Sequence, residues 1–144
     1  MVDDFDYDIL IKMRWTRARN GGYVQGYDPL SRKVVKMHRF IMQITDRKIP
    51  VDHDDNNVLN NTRANLRVCT QSQNAMNANG HRDSTSRFKG VYWCKRSKRW
   101  NAKLSVRGKT MLNRSYFSER EAAIDYNKFA KIYHGEYARL NEIK

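Results

Sequence analysis

Met37, Phe40, Ile41 and Ile44 recur at the three- and four-residue spacing of a helix face, which leaves His38 and Arg39 on another side. Downstream the spacing shortens. Ile49-Pro50-Val51 and Leu66 to Cys69 are brief apolar runs separated by a turn-rich stretch, 54–61, a pattern that reads as strand, loop, strand. Thr70 followed by Gln73 is a capping box, so a helix is expected from about Gln71 to Asn79, stopping at Gly80. Nearer the start, Asp3-Asp4 ahead of Phe5, Ile9, Leu10 and Met13 suits a short amphipathic helix, although Ile9-Leu10-Ile11 would equally suit a strand. Trp15, Asn20-Gly21-Gly22 and Tyr23 to Tyr27 read as a hairpin, and Asp28-Pro29 with Ser31 as a turn into 33–36.

From Asn79 to Ser86 no apolar period survives, so this polar segment is the expected linker, with His81 solvated in it. Three aromatic or β-branched runs follow, Phe88 to Trp93, Trp100 to Val106 and Thr110 to Phe117, with turns at 96–99 and at Arg107-Gly108-Lys109. They read as an antiparallel meander. Ser118 and Glu121 then open a helix to about His134 that Gly135 ends, with Ala122, Ala123, Tyr126 and Ala130 as its inner stripe. The expected fold class is α+β, with residues 1–79 as a first domain, 80–86 as a linker, and 87–144 as a three-stranded antiparallel sheet packed on one helix.

Charge adds a partner to this outline. The 144 residues carry 28 Lys and Arg against 15 Asp and Glu, a net charge of +13, and such an excess points to an anionic polymer, nucleic acid first. It is uneven: 1–79 hold twelve basic and nine acidic residues, 80–144 sixteen and six. The electrostatic footprint is therefore expected in the second half, on a sheet face carrying Arg87, Lys89, Lys95, Arg96, Lys98, Arg99, Lys103, Arg107 and Arg114, with Trp93 and Trp100 beside them. Trp100, in the middle strand, suits the core equally well. Cys69 and Cys94 form neither a zinc cluster nor a disulfide framework, so both are expected to be packing thiols in a reducing compartment. With no apolar run approaching 18 residues and no signal peptide, neither membrane insertion nor secretion is expected, which makes the protein cytosolic.

The candidate chemistry lies in Val51 to Asn77. Asp52 and Asn74 offer hard oxygen donors suited to a magnesium-type ion that keeps several waters and binds substrate phosphate. His53 carries an imidazole that can take a proton from a water attacking phosphorus. Asn65 can orient that base by bridging the loop and the His53 backbone. Arg63 and Arg67 are phosphate-contact candidates. His38 suits either a phosphate or metal-region contact or a structural hydrogen bond, and Asn56, Asn57, Asn60 and Asn61 fit turn geometry.

In order along the chain, His38-Arg39, Asp52-His53, Leu59-Asn60-Asn61, Asn65-Leu66-Arg67 and Ser72-Gln73-Asn74 resemble the HNH endonucleases of the phage and intron-encoded homing type, in the branch whose third letter is Asn. The resemblance implies a hairpin-helix (ββα-metal) fold in which His53 is the catalytic base, Asn65 the middle residue, and Asp52 with Asn74 the ligands of one magnesium or manganese ion. It departs from that pattern at Asp54-Asp55-Asn56, where the family usually has an apolar residue and a glycine; Asn56 can replace glycine at positive φ, and the two carboxylates either repel phosphate or help hold the ion.

Residues 86–141 are similar to the APETALA-type, or ethylene-response-factor, DNA-binding domain, through Arg87-Phe88-Lys89-Gly90-Val91, Lys98-Arg99-Trp100, Tyr116-Phe117, Glu121-Ala122-Ala123, Tyr126 and 134–141. Together the resemblances imply a sequence-directed endonuclease of the homing type that nicks double-stranded DNA in the cytoplasm of a bacterial or phage-infected cell. It would need one divalent ion and no small-molecule cofactor. The alternative is a noncatalytic DNA-binding regulator with a degenerate HNH half, favoured only by Asp54-Asp55.

Overall fold

The computed structural model describes every residue except Asn20, His81 and Arg82; the corner expected at Asn20 and the solvated place expected for His81 lie outside the described residues. The chain is α+β, with antiparallel sheets, and divides into two compact units, Met1–Asn74 and Ala75–Lys144. No helix among the described residues is long and apolar enough to cross a membrane.

The first unit opens with helix α1 (Asp4–Leu10), as the acidic start favours. Its apolar stripe is narrower than expected, since Leu10 is buried while Phe5 and Ile9 face solvent. Strands β1 (Trp15–Arg17), β2 (Val24–Asp28) and β3 (Lys33–Lys36) form an antiparallel sheet in that order. Gly26 of β2 is required there: a Cβ would come within 2.8 Å of the Arg14 carbonyl and 2.9 Å of the Trp15 ring. That close approach lets Trp15 reach the core and donate from its indole Nε1 to the Leu10 carbonyl at 2.8 Å.

Helix α2 (Met37–Ile41) is shorter than the apolar stripe suggests, because the chain turns through Gln43 at φ 55°. Met37 and Ile41 join Leu10 and Leu66 in the core, with Trp15, Phe40 and Val51 packed around them. Arg39 donates to the carbonyls of Ile49 and Asp46 and so fixes the chain leading into β4 (Val51–His53). Strand β5 (Leu66–Val68) pairs antiparallel with β4, and α3 (Gln71–Asn77) follows. The capping box forms as expected: Gln73 N–H donates to Thr70 Oγ1, and Thr70 N–H to Gln73 Oε1.

In the second unit β6 (Val91–Cys94), β7 (Arg99–Val106) and β8 (Lys109–Tyr116) form the expected meander. Val106 pairs with Lys109, leaving the two-residue turn Arg107-Gly108 with both φ positive, which matches the right-handed twist of the strands it joins. Helix α4 (Glu119–His134) starts at Ser118, whose hydroxyl accepts from Arg120 N–H, and ends at Gly135. Ala122, Ala123, Tyr126 and Ala130 meet Val91, Ala102, Leu104 and Leu112 in one core. Small alanines bring the helix close to the sheet, and the chain accommodates this at Gly90, where a Cβ would lie 2.1 Å from the Tyr126 ring.

The division between units falls within α3, upstream of the expected boundary near Gly80. Much of the expected linker is already bonded into the second unit. Ser84 Oγ donates to the Val91 carbonyl, Thr85 Oγ1 accepts from Trp93 N–H, and Ser86 Oγ donates to Glu119. Lys89 donates its ammonium to the carbonyls of Ala75, Met76 and Ala78, which favours the negative end of a helix.

Candidate active site

The register of the β4-β5 pair decides where the candidate groups go. Asp52 lies opposite Arg67, and His53 opposite Leu66. Directly opposed residues share a face and strand neighbours take opposite faces, so Asp52 and His53 stand side by side at the end of β4, one on each face. Asp52 Oδ2 accepts from Arg67 Nε at 3.2 Å and Nη2 at 3.0 Å. Cys69 is on the Asp52 side: its thiol is pushed up by burial and by the Asp52 carboxylate, against an opposing backbone hydrogen bond from Asn74. The Asp52 carboxylate and the Asn74 backbone thus both act on the same buried sulfur, with Asn74 itself exposed on α3.

The other face holds a group that the sequence reading did not assemble. His53 is 4% exposed, and its Nε2 lies 3.3 Å from Asn61 Oδ1. The His38 ring stands edge-on to it at 5.0 Å between centroids, and the Tyr23 ring lies 5.2 Å from His38 and 6.0 Å from His53. Lys36 places its ammonium 4.3 Å from the Tyr23 ring centre. His38, expected on a separate helix side, is therefore buried here. Burial, then the charges of His53, Lys36 and Arg39, holds its pKa down to about 3, so it is neutral near pH 7. Two buried polar atoms in this cluster, His38 Nδ1 and Asn61 Nδ2, have no hydrogen-bond partner among the described residues. Such orphans are rare in a purely structural core.

Asn65 braces the loop more than the base. Its Oδ1 accepts from Asp55 N–H at 3.0 Å, and its Nδ2 donates to Asp55 Oδ1 and to the Asn60 carbonyl at 2.9 and 2.8 Å. These bonds run from its side chain into the loop that joins β4 to β5. Asn56 adopts φ 60° and its N–H donates to the His53 carbonyl, as a glycine substitute at that turn should. The two carboxylates that set this loop apart have internal roles: Asp54 pairs with Arg67, and Asp55 accepts from Asn57 N–H and from the amides of Asn60 and Asn65. Burial alone would raise the Asp55 carboxyl, but those bonds together hold it below its ordinary range.

Neither arginine expected at phosphate stands unengaged. Arg63 forks onto Asp6 of α1 at 2.9 and 2.7 Å, and Arg67 bridges Asp52 and Asp54. Both guanidiniums neutralise buried or loop carboxylates of the fold. Cations missed by the sequence reading lie on the first sheet and at its first turn: Lys36 beside Tyr23, and Arg17 and Arg19, which line a cleft with Ala18 and Gln25. Their signal was present in the sequence as a dense run of basic residues between Lys12 and Lys48, masked by the acidic residues on either side.

The donor chemistry fits a magnesium-type ion. Asp52 and Asn74 offer oxygen, and among the described residues no three His, Cys, Asp or Glu side chains converge as they do around a structural zinc.

In the second unit the cations divide by strand parity. Ala102 and Leu104 face α4, so Arg99, Asn101 and Lys103 face outward, while Lys95, Arg96, Lys98 and Arg107 occupy the turns and Arg87 is exposed ahead of the sheet. Arg99 lies over the Phe117 ring. Trp93 differs from its expected face, and Trp100 takes the core side of its two alternatives. Trp100 is two residues from Ala102 and opposite Tyr116, whose hydroxyl donates to Asp125 of α4, and Trp93 is opposite Trp100. Both indoles are therefore on the helix side, in edge contact at 5.2 Å. Arg114 is on that side too, paired with Asp125, and Lys89 is held by the carbonyls of Ala75 and Met76 in α3 and of Ala78 just beyond it.

Over 95% of its length the chain is 37% identical to a protein of Acanthamoeba polyphaga mimivirus named "Uncharacterized HNH endonuclease L560", 71% of which it covers. Protein 3.8 of Escherichia phage T7 is 29% identical across 75% of the chain and 92% of its own length. No family model and no solved structure matches.

Proposed function

This chain belongs to the HNH endonuclease family, and from that premise we propose that it is a metal-dependent, DNA-directed endonuclease of the homing type that nicks one strand of a duplex. The β4-β5 pair and α3 then correspond to the hairpin and helix of a ββα-metal site. What carries the reading is the end of β4, where a buried imidazole and a carboxylate stand side by side, the first facing Asn61 and the second bordering Cys69 with Asn74.

Asp52 and Asn74 would hold one magnesium or manganese ion. Bound there, the ion would supply Lewis acidity to the phosphate and stabilise the departing oxygen. His53 takes the proton of the attacking water. Neutral His38 and Tyr23 wall the imidazole without adding positive charge, and Asn65 keeps the 54–60 loop in one shape. Lys36, Arg17 and Arg19 meet the phosphates near the break, where Arg63 and Arg67 are already engaged.

The second unit reads the duplex in the manner of an APETALA-type domain, through the outward face of β6-β7-β8. Arg99 and Lys103 reach from that face, with Arg87, Lys95, Arg96, Lys98 and Arg107 at its edges, and a ribbon of this width fits the major groove. Of the two carboxylates favouring a noncatalytic regulator, Asp54 is paired with Arg67 of β5 and Asp55 is bonded to Asn57, Asn60 and Asn65, which supports the catalytic reading. The test is supercoiled plasmid incubated with the full chain. Conversion to the open circle that stops in excess EDTA and returns with magnesium or manganese is expected; cleavage that continues in EDTA, or none with any divalent ion, overturns the proposal.

A further inference from the structure

We propose that Asn61 is the positioning residue of His53, fixing the imidazole with its hydrogen on Nε2 and so assigning Nδ1 as the atom that takes the proton; this rests on His53 being the general base. An amide oxygen only accepts. With Asn61 Oδ1 3.3 Å from Nε2, the hydrogen bond forms when the hydrogen sits on Nε2, and a neutral imidazole then carries its basic lone pair on Nδ1.

Several contacts make the pairing a built one. Asn61 is 1% exposed, and its backbone N–H donates to the Met1 carbonyl at 2.8 Å. The preceding residue is held from both sides, since Asn65 Nδ2 donates to the Asn60 carbonyl and Thr62 Oγ1 to Asn60 Oδ1. The ring itself is confined by Tyr23 and by His38 edge-on, so rotating it to exchange its nitrogens would displace two packed rings. Asn65 secures the loop, and Asn61 secures the imidazole within it. The order matters because a base in the wrong tautomer presents a hydrogen where a lone pair is needed, even with its geometry unchanged.

The test uses the full-length chain with its histidine imidazoles labelled with 15N, without DNA or metal. Long-range 15N–1H correlations distinguish Nε2–H from Nδ1–H imidazole, and loss of the signal in His53→Ala identifies the residue. Wild type and Asn61→Asp, whose carboxylate also only accepts, are expected to show the Nε2–H form; Asn61→Leu should lose that preference. In plasmid nicking, Asn61→Leu should lower kcat roughly 10–100-fold, the loss typical of removing a partner that orients a reactive imidazole, with KM for DNA unchanged and Asn61→Asp restoring most of the rate. An Nδ1–H form in the wild type overturns the assignment without any variant having to fold. So does an Asn61→Leu protein that keeps the Nε2–H form or the wild-type kcat. If the tautomers behave as stated while His53→Ala still nicks at the wild-type rate, the general-base reading fails, separately from the Asn61–His53 pairing.

Discussion

The two units bury different things. In the second, Phe88, Val91, Ala102, Leu104, Leu112, Ala122, Ala123, Tyr126 and Ala130 make a continuous apolar core, with Asn77 and Ser86 as its buried polar residues. In the first, Leu10, Met37, Ile41 and Leu66 form a smaller cluster, while Asp6, His38, Asp52, His53, Asn61 and Asn65 are buried beside it. A buried polar group costs stability unless it is bonded, so the first unit spends burial on placing chemical groups. The second spends it on holding a sheet whose outward cations need no burial at all.

The largest effect that would sharpen this contrast is His53→Ala. Nicking should fall by roughly 10²–10⁴, the usual worth of a general base, with duplex affinity in gel shifts nearly unchanged; a rate within tenfold of wild type would remove the chemical role of the first unit. The mirror experiment is Gly90→Ala. A methyl forced into the Tyr126 ring at φ 74° should cost roughly 2–5 kcal/mol from overpacking and backbone strain. Thermal unfolding should show the loss in the Ala75–Lys144 transition, and with it weaker duplex binding. A melt identical to wild type would mean that the helix and sheet are not so closely packed.

A smaller effect depends on pH. The folded pKa of His38 is held below its unfolded value, so its contribution is fully present above about 6.5 and is lost as pH falls toward 3. The unfolded chain binds the extra proton in that window, giving a slope of about 1.4 kcal/mol per pH unit. Between pH 6.5 and 5 wild type should lose about 1.6 kcal/mol more than His38→Gln; equal slopes in denaturant melts would show that His38 is protonated at no such cost. Least of all, Lys103→Ala should weaken duplex binding by under about 1 kcal/mol for every sequence and reduce the log-log salt slope by about 0.9. A change confined to one DNA site would make Lys103 a base reader.

What was legible in the sequence was local. The Thr70-Gln73 box, the Asn56 turn, the Arg107-Gly108 hairpin and the Ser118 and Gly135 ends of α4 each depend on a few consecutive residues, and each formed. The features that could not be read depend on partners far along the chain. Asn61 looks like one more turn asparagine until β4 brings His53 to it, and His38 looks like an off-face residue until Tyr23, from a separate hairpin, closes over it. The ion pair of Arg63 was equally hidden, because its carboxylate lies 57 positions earlier, in α1. Trp93 was set with the outward cations, and Trp100 left open between that face and the core, because only the strand register reveals which side of the sheet the helix covers.

The two cysteines, alike in the sequence as packing thiols, have opposite chemical fates. Cys69 is buried beside Asp52 with its thiol pushed up, whereas Cys94 is half-buried at the end of β6, where the Ser97 side chain and backbone, with Arg96, pull its thiol down. Because the thiolate is the reactive form, a limiting dose of a maleimide dye should choose Cys94. The native chain therefore carries its own attachment point for a fluorophore, at the turn of the proposed DNA-reading sheet.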